Sequence, residues 1–271
     1  MADPLSSARL KLARAELHAR TAKREARRFF NSQPNPTFRV EPESDTGSVG
    51  IGENLRIGDI FRCRLVVDRG MDDLPDSFSP RFGDAIQNFR HALDHLAWQL
   101  VAHGSIPSPT DDWAVQFPIY DTAGRFDNNI ERRLPGVDQT VTGFIKARHR
   151  YVGGNATNDP LLSLARLSND DKHRTLHVVA SLFSTLENEV NFIRCLPISY
   201  ENPPERPAAK SGAVVAIIEA LITGEPAQLN MNIAPTIQII LEDGREFSDL
   251  LDQIGNEVRE ILGAPEILAA V

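Results

Sequence analysis

The chain has 271 residues, 41% of them hydrophobic, enough for a sizeable core in one large domain or two small ones. Its net charge of −8 at pH 7 argues against broad, non-specific attraction to nucleic acid, and its two cysteines, Cys63 and Cys195, stand far apart in no metal-binding spacing, as in a reducing compartment. The N-terminus lacks the apolar core of a secretion signal, and the most apolar run, 212–224, is broken by Glu219 and too short to span a bilayer, so a cytoplasmic protein with no membrane partner is expected.

The charge is uneven. Residues 1–30 carry eight Lys/Arg against three Asp/Glu, a net of +5, which leaves −13 on the other 241. Residues 5–30 read as a basic helix with a thin apolar stripe of Leu10, Ala13 and Leu17, followed by Arg24, Arg27, Arg28 and Phe29-Phe30. Such a helix either docks by its stripe or reaches for phosphates, with RNA as the partner in the second case. Residues 37–41 and 59–68 alternate apolar and polar in part, as strands do, and the turn-rich stretch 45–52 between them makes a long-looped β-hairpin.

The next stretch, 79–104, reads SPRFGDAIQNFRHALDHLAWQLVAHG. Phe82, Ala85, Ile86, Phe89, Leu93, Leu96 and Leu100 fall in one arc at helical spacing. Ser79 suits the N-cap, Pro80 the first turn and Gly104 the stop. The opposite arc holds Arg90, Asp94, Gln87, Trp98, His91, Asp84, His95 and Asn88. A solvated face would be mostly Lys, Glu and Gln. Trp is costly to leave in water, so this face is expected to be covered by another helix or by a second subunit, making a homodimer.

Short helical patterns follow at 123–133 and 137–150, with a short extended piece, 117–120, before them. Asp159 and Pro160 open a second long helix that the pattern carries to about 183. It contains Ser168, Asn169, Asp170, Asp171, Lys172, His173 and Arg174. Asp171 falls in the arc shared by Leu164, Leu167, Val178 and Leu182, so it needs a partner if buried. Alternatively, Ser168 and Asp171 form a capping box at which the helix restarts. The tail offers strands at 190–196, 213–218, 228–233 and 236–241, a turn at 242–244, and an amphipathic helix marked by Phe247, Leu250, Leu251, Ile254, Val258, Ile261 and Leu262.

These elements predict an α+β fold. A central pair of long helices is preceded by the N-terminal helix and hairpin, and followed by an antiparallel sheet covered by the last helix. Residues 1–183 form the motif-bearing region and 184–271 the β-rich region, together one compact domain.

Three readings fit the polar residues. In the first, Arg90 and Asp94, at i and i+4, pair along the helix face, while His95 and Asn88 bond Asp171 or Arg174 across a helix contact, giving an interaction module without catalysis. In the second, His91/His95 and His173/His177, each one turn apart, chelate a metal ion with Asp94 or Asp170. The third comes from resemblance. The segments Gly83-Asp84-Ala85, Asn88, Arg90, Ala92 to Trp98, and Asp171-Lys172-His173-Arg174 resemble a family of uncharacterised bacterial proteins. In that family one helix reads G-D-A-x-x-N-x-R-x-A-L-D-H-L-A-W and a later one contains D-K-H-R. At the open positions 87 and 91 the resemblance leads one to expect residues other than Gln87 and His91. Arg90 to His95 also resembles the R-[N/D/H]-x-x-x-H signature of the HEPN superfamily of helical, often dimeric, metal-independent ribonucleases. That resemblance implies no cofactor. It implies His95 as the proton-transferring group, Arg90 as the stabiliser of phosphorane charge, and His91 as the polar residue beside it, supported by Asn88, Asp94, Asp171, Lys172, His173 and Arg174.

Overall fold

The structure, a computed structural model, describes residues 3–42, 56–105, 112–149, 159–173, 178–183, 190–201, 209–224, 228–231, 236–241 and 243–271. The fold is α+β, as expected. The chain divides into two compact units, each assembled from separated stretches. One comprises Met1–Ala26, Asp76–His177 and Ser248–Val271; the other comprises Arg27–Pro75 and Val178–Phe247. Among the described residues no helix is long and apolar enough to cross a membrane.

The first unit is helical. Helix α1 spans Ser6–Ser32 and enters the second unit at its C-terminal end. Its buried face is not the leucine stripe. Ala8, Leu12, Ala15, Ala19, Ala22 and Ala26 are buried, while Leu10 is 72% and Leu17 52% exposed. Two stripes overlap in this sequence, and the run of small side chains is the one that is buried.

Helix α2, Phe78–Ala102, buries the whole expected arc from Phe82 to Leu100. It starts one residue before Ser79. Ser77 is the N-cap, without a side-chain bond, and Pro80 lies in the first turn, where a missing N–H costs no helical bond. Gly104 follows the end, where an added Cβ would lie 2.8 Å from the Gly136 carbonyl oxygen. The stretch 115–120, in neither helix nor strand, comes after a 3-10 turn, Asp112–Ala114.

Helix α3, Ala123–Arg133, is capped by Thr122, and α4, Gln139–Arg148, by Asp138, each side chain accepting a backbone N–H. Helix α5 covers Pro160–His173, and its cap is Asp159, fully buried, whose Oδ1 accepts the Leu161 N–H at 2.8 Å. Helix α6, Phe247–Gly263, and the short α7, Pro265–Leu268, complete the helices. The last long helix, read from sequence as the cover of the sheet, clusters from Ser248 onward with the helices: an added Cβ on Gly255 would lie 3.2 Å from the Phe89 ring of α2.

The second unit holds strands β1 (Thr37–Pro42), β2 (Ile60–Arg69), β3 (Val178–Phe183), β4 (Val190–Ile193), β5 (Cys195–Glu201), β6 (Val214–Ile222), β7 (Gln228–Met231) and β8 (Thr236–Leu241). β1 and β2 form the expected antiparallel hairpin, but β2 also pairs with β6, giving a sheet of order β1-β2-β6-β5. The hairpin thus belongs with the C-terminal strands, not with the motif helices as the 1–183 grouping had it. Phe61, Cys63, Leu65 and Val67 on β2, and Ala216, Ile218, Ala220 and Ile222 on β6, alternate inward with the period of a strand. β3 pairs with β8 and β4 with β7, both antiparallel.

Two boundaries differ from the sequence reading. The second long helix stops by His173, and Val178–Phe183, read as its continuation, is strand β3, paired to β8 from Val178↔Leu241 to Phe183↔Thr236. The β-branched start of that stretch suits a ladder, and the partner strand decides the outcome. The single strand expected over 190–196 is two strands, broken at Arg194, whose φ of 57° puts a non-glycine residue in the left-handed region.

Candidate functional site

Helices α2 and α5 cross at a glycine. A Cβ on Gly83 would lie 2.1 Å from Oδ1 of Asp171, so the missing side chain is what admits the Asp171 carboxylate. One turn on, Gln87 ties the helices together. Its Nε2 donates to the Ser168 carbonyl at 2.8 Å and to Asp171 Oδ2 at 3.1 Å, and its Oε1 accepts from the Ser168 hydroxyl at 3.1 Å. Asp171 therefore has its cross-helix partner, and it is Gln87. The capping-box alternative does not form, since α5 runs unbroken through Ser168. Asn88, expected to reach Asp171 or Arg174, instead donates to the Asp84 carbonyl of its own helix at 2.7 Å.

The next turn of α2 holds a different arrangement. Arg90 and Asp94 pair at 3.1 Å with side chains only 13% and 26% exposed. Both also seize the backbone of buried Phe117: Arg90 Nη2 donates to its carbonyl at 2.9 Å, and its N–H donates to Asp94 Oδ1 at 3.0 Å. The stretch 115–120 lies in no ladder, so its backbone groups need other partners, and this pair supplies them at its centre. The charge-assisted bonds are each worth about 1.5–3 kcal/mol.

Beside this clamp opens a polar cleft of about 300 Å³. Its walls are Arg90 and Asp94 of α2, residues 116–120, Arg133 of α3, and one face of α5. That face is Ala165, Ser168, Asn169 and Lys172, spaced i, i+3, i+4 and i+7. Three cationic side chains meet one carboxylate there, in a chain whose net charge is −8. Arg90 is neutralised by Asp94. Arg133 donates from Nε to the Tyr120 hydroxyl at 3.2 Å and from Nη1 to the Ala114 carbonyl at 3.0 Å. Lys172 is exposed at the rim.

The remaining expected site residues lie elsewhere. Neither His91 nor His95 lines the cleft. His91 reaches the surface, and packing around its ring, with Lys11 of α1 next in effect, holds its pKa below the ordinary imidazole value. His95 is half-buried. Trp98, expected under a cover, is 38% exposed. The side chain of His173, and Arg174 and His177 entirely, lie outside the described residues. Among the described residues no group of three or more His, Cys, Asp or Glu side chains is placed to hold a metal ion.

Of the residues singled out by sequence, Arg90, Asp94, Ser168, Asn169 and Lys172 come together at the cleft. Gln116, Tyr120 and Arg133 were missed. Arg133 sits in the last turn of α3, where a basic residue is explained by the helix dipole alone. The available signal was the extended piece 117–120, too short for a strand and so in need of side-chain partners. No protein-family model, curated protein or solved structure matches the chain.

Proposed function

We propose that the helical unit is a binding module for a small anionic group, phosphate or carboxylate, in the cleft between α2, α3 and α5. The carrying observation is the charge of its walls, Arg90, Arg133 and Lys172 against Asp94 alone. In this reading the Gln87–Ser168–Asp171 network and the Arg90–Asp94 clamp build the cleft by fixing α5 and the 115–120 stretch against α2. Lys172 and Arg133 meet the ligand, with Asn169 and Gln116 as neutral hydrogen-bonding neighbours. Ribonuclease chemistry at Arg90 and His95 fits less well, because the Arg90 guanidinium is already engaged by Asp94 and the Phe117 carbonyl, which weakens it as a stabiliser of developing phosphorane charge. The outward face of α1 carries Arg14, Arg20 and Arg24, positive charge that supports contact with an anionic polymer.

Titration with inorganic phosphate, followed by 31P line broadening, tests the module. Saturable binding is expected, weakened about tenfold or more by Lys172→Ala, the loss of one charge-assisted contact, and weakened by added salt. Absence of binding, or binding indifferent to Lys172→Ala, removes the reading. Incubation with RNA in EDTA is expected to leave the RNA intact; cleavage abolished by His95→Ala would restore the ribonuclease.

A further inference from the structure

Trp113 is the most exposed aromatic feature near the cleft. It is 68% exposed, and the guanidinium of Arg132 lies 5.1 Å from its ring centroid. Leaving an indole open forgoes the gain from burying a large apolar side chain, and the arginine over the ring adds positive charge to the same spot. The position is not isolated. Ala114, the next residue, accepts from Arg133 Nη1, and Arg133 is a wall of the cleft. Arg133 thus lines the cleft and holds the backbone of the residue after Trp113, while its neighbour Arg132 lies on the indole.

A flat apolar ring beside an anion site fits a ligand carrying both an aromatic plane and a phosphate. We propose that the cleft takes a nucleotide, its phosphate held by Lys172 and Arg133 and its base stacked on Trp113. This rests on the anion-binding reading above and goes beyond it, since inorganic phosphate or a simple carboxylate has no use for the indole. Stacking accepts any base, so selectivity among bases is not expected. Free nucleotides and single-stranded nucleic acid present the same unit, and length dependence separates them.

The chain has two tryptophans, so Trp98→Phe leaves Trp113 as the only one, excited apart from the three tyrosines at the red edge of the indole absorption. In that background AMP should quench the fluorescence saturably. Inorganic phosphate should displace AMP without quenching by itself. Trp113→Ala, at an exposed position, should weaken AMP, followed by 31P line broadening, about tenfold and leave inorganic phosphate binding unchanged. Lys172→Ala should weaken both. A short oligoadenylate binding more tightly than AMP assigns the site to a strand; equal affinity assigns it to the free nucleotide. If phosphate binds in a Lys172-dependent way but AMP affinity is indifferent to Trp113→Ala, or AMP does not compete with phosphate, the nucleotide inference is overturned and the anion site survives. If phosphate itself does not bind, both fall.

Discussion

At the residue scale, Gly83 and Asp171 explain each other. An alanine at an exposed helical site stabilises by about 1 kcal/mol relative to glycine, but here its Cβ would collide with the Asp171 carboxylate. Moving that carboxylate strains its bond to Gln87, an overpacking cost of about 1–3 kcal/mol. Gly83→Ala is therefore expected to lower stability by about 1 kcal/mol in the wild-type chain. In an Asp171→Ala background the same change should raise it by up to about 1 kcal/mol. Urea unfolding of the four proteins measures the sign reversal; equal effects in both backgrounds would mean the two residues do not touch. The same contact joins two segments remote in sequence: the glycine of one is the seat of the carboxylate of the other.

At the element scale, what was legible depended on whether one face of a segment dominates. In α2 the apolar arc is uncontested, and every residue assigned to it is buried. In α1 an alanine stripe competes with a leucine stripe, and hydrophobicity alone favours the one that proves exposed. The end of α5 was illegible for another reason: 178–183 is a strand only because β8 lies beside it. Among the connections between helices, His149 follows the end of α4, with Nδ1 3.0 Å from the Ile145 carbonyl and its ring edge-on to Phe126 of α3 at 5.4 Å. Burial lowers its pKa below the ordinary value, while Asp159 and Glu257 pull the other way. The unfolded chain therefore takes up the proton more readily than the folded one. Stability is intact above the unfolded pKa of about 6.5 and falls as the pH drops below it, by up to about 1.4 kcal/mol per pH unit until the folded pKa is reached. Urea midpoints at mildly acidic and at neutral pH should converge in His149→Gln. His91, shifted the same way, leaves a residual slope. An unchanged slope in the variant would place the acid-sensitive group elsewhere.

At the scale of the whole molecule, most elements were legible in the sequence, β3 and the break at Arg194 aside, but not how the chain shares them out. The polar cluster was partly legible because Arg90, Asp94 and Lys172 sit on two helices with clear periodicity, whereas Arg133 and residues 116–120 enter through packing that no local pattern encodes. The division at 183 fails for a similar reason. The chain passes between the two units four times, and both α1 and α6 run through a boundary. A fragment ending at residue 183 keeps α1 to α5 but loses α6, whose Leu250, Leu251, Ile254, Val258, Ile261 and Leu262 are all buried. Each such side chain is worth about 1.5–3 kcal/mol when fully buried, and the Phe89 ring would lose its neighbour at Gly255. The fragment also keeps β2 without β6, opening Cys63 and Leu65 and an unpaired strand edge. With a whole domain stable by only about 5–15 kcal/mol, these losses exceed the margin in both units. The fragment should show no cooperative thermal transition by near-ultraviolet circular dichroism and should bind a hydrophobic dye, while the full chain melts cooperatively. A sharp, native-like transition in the fragment would mean that the N-terminal part folds without the C-terminal strands and helix, and that the interleaving of the two units is not needed for their stability.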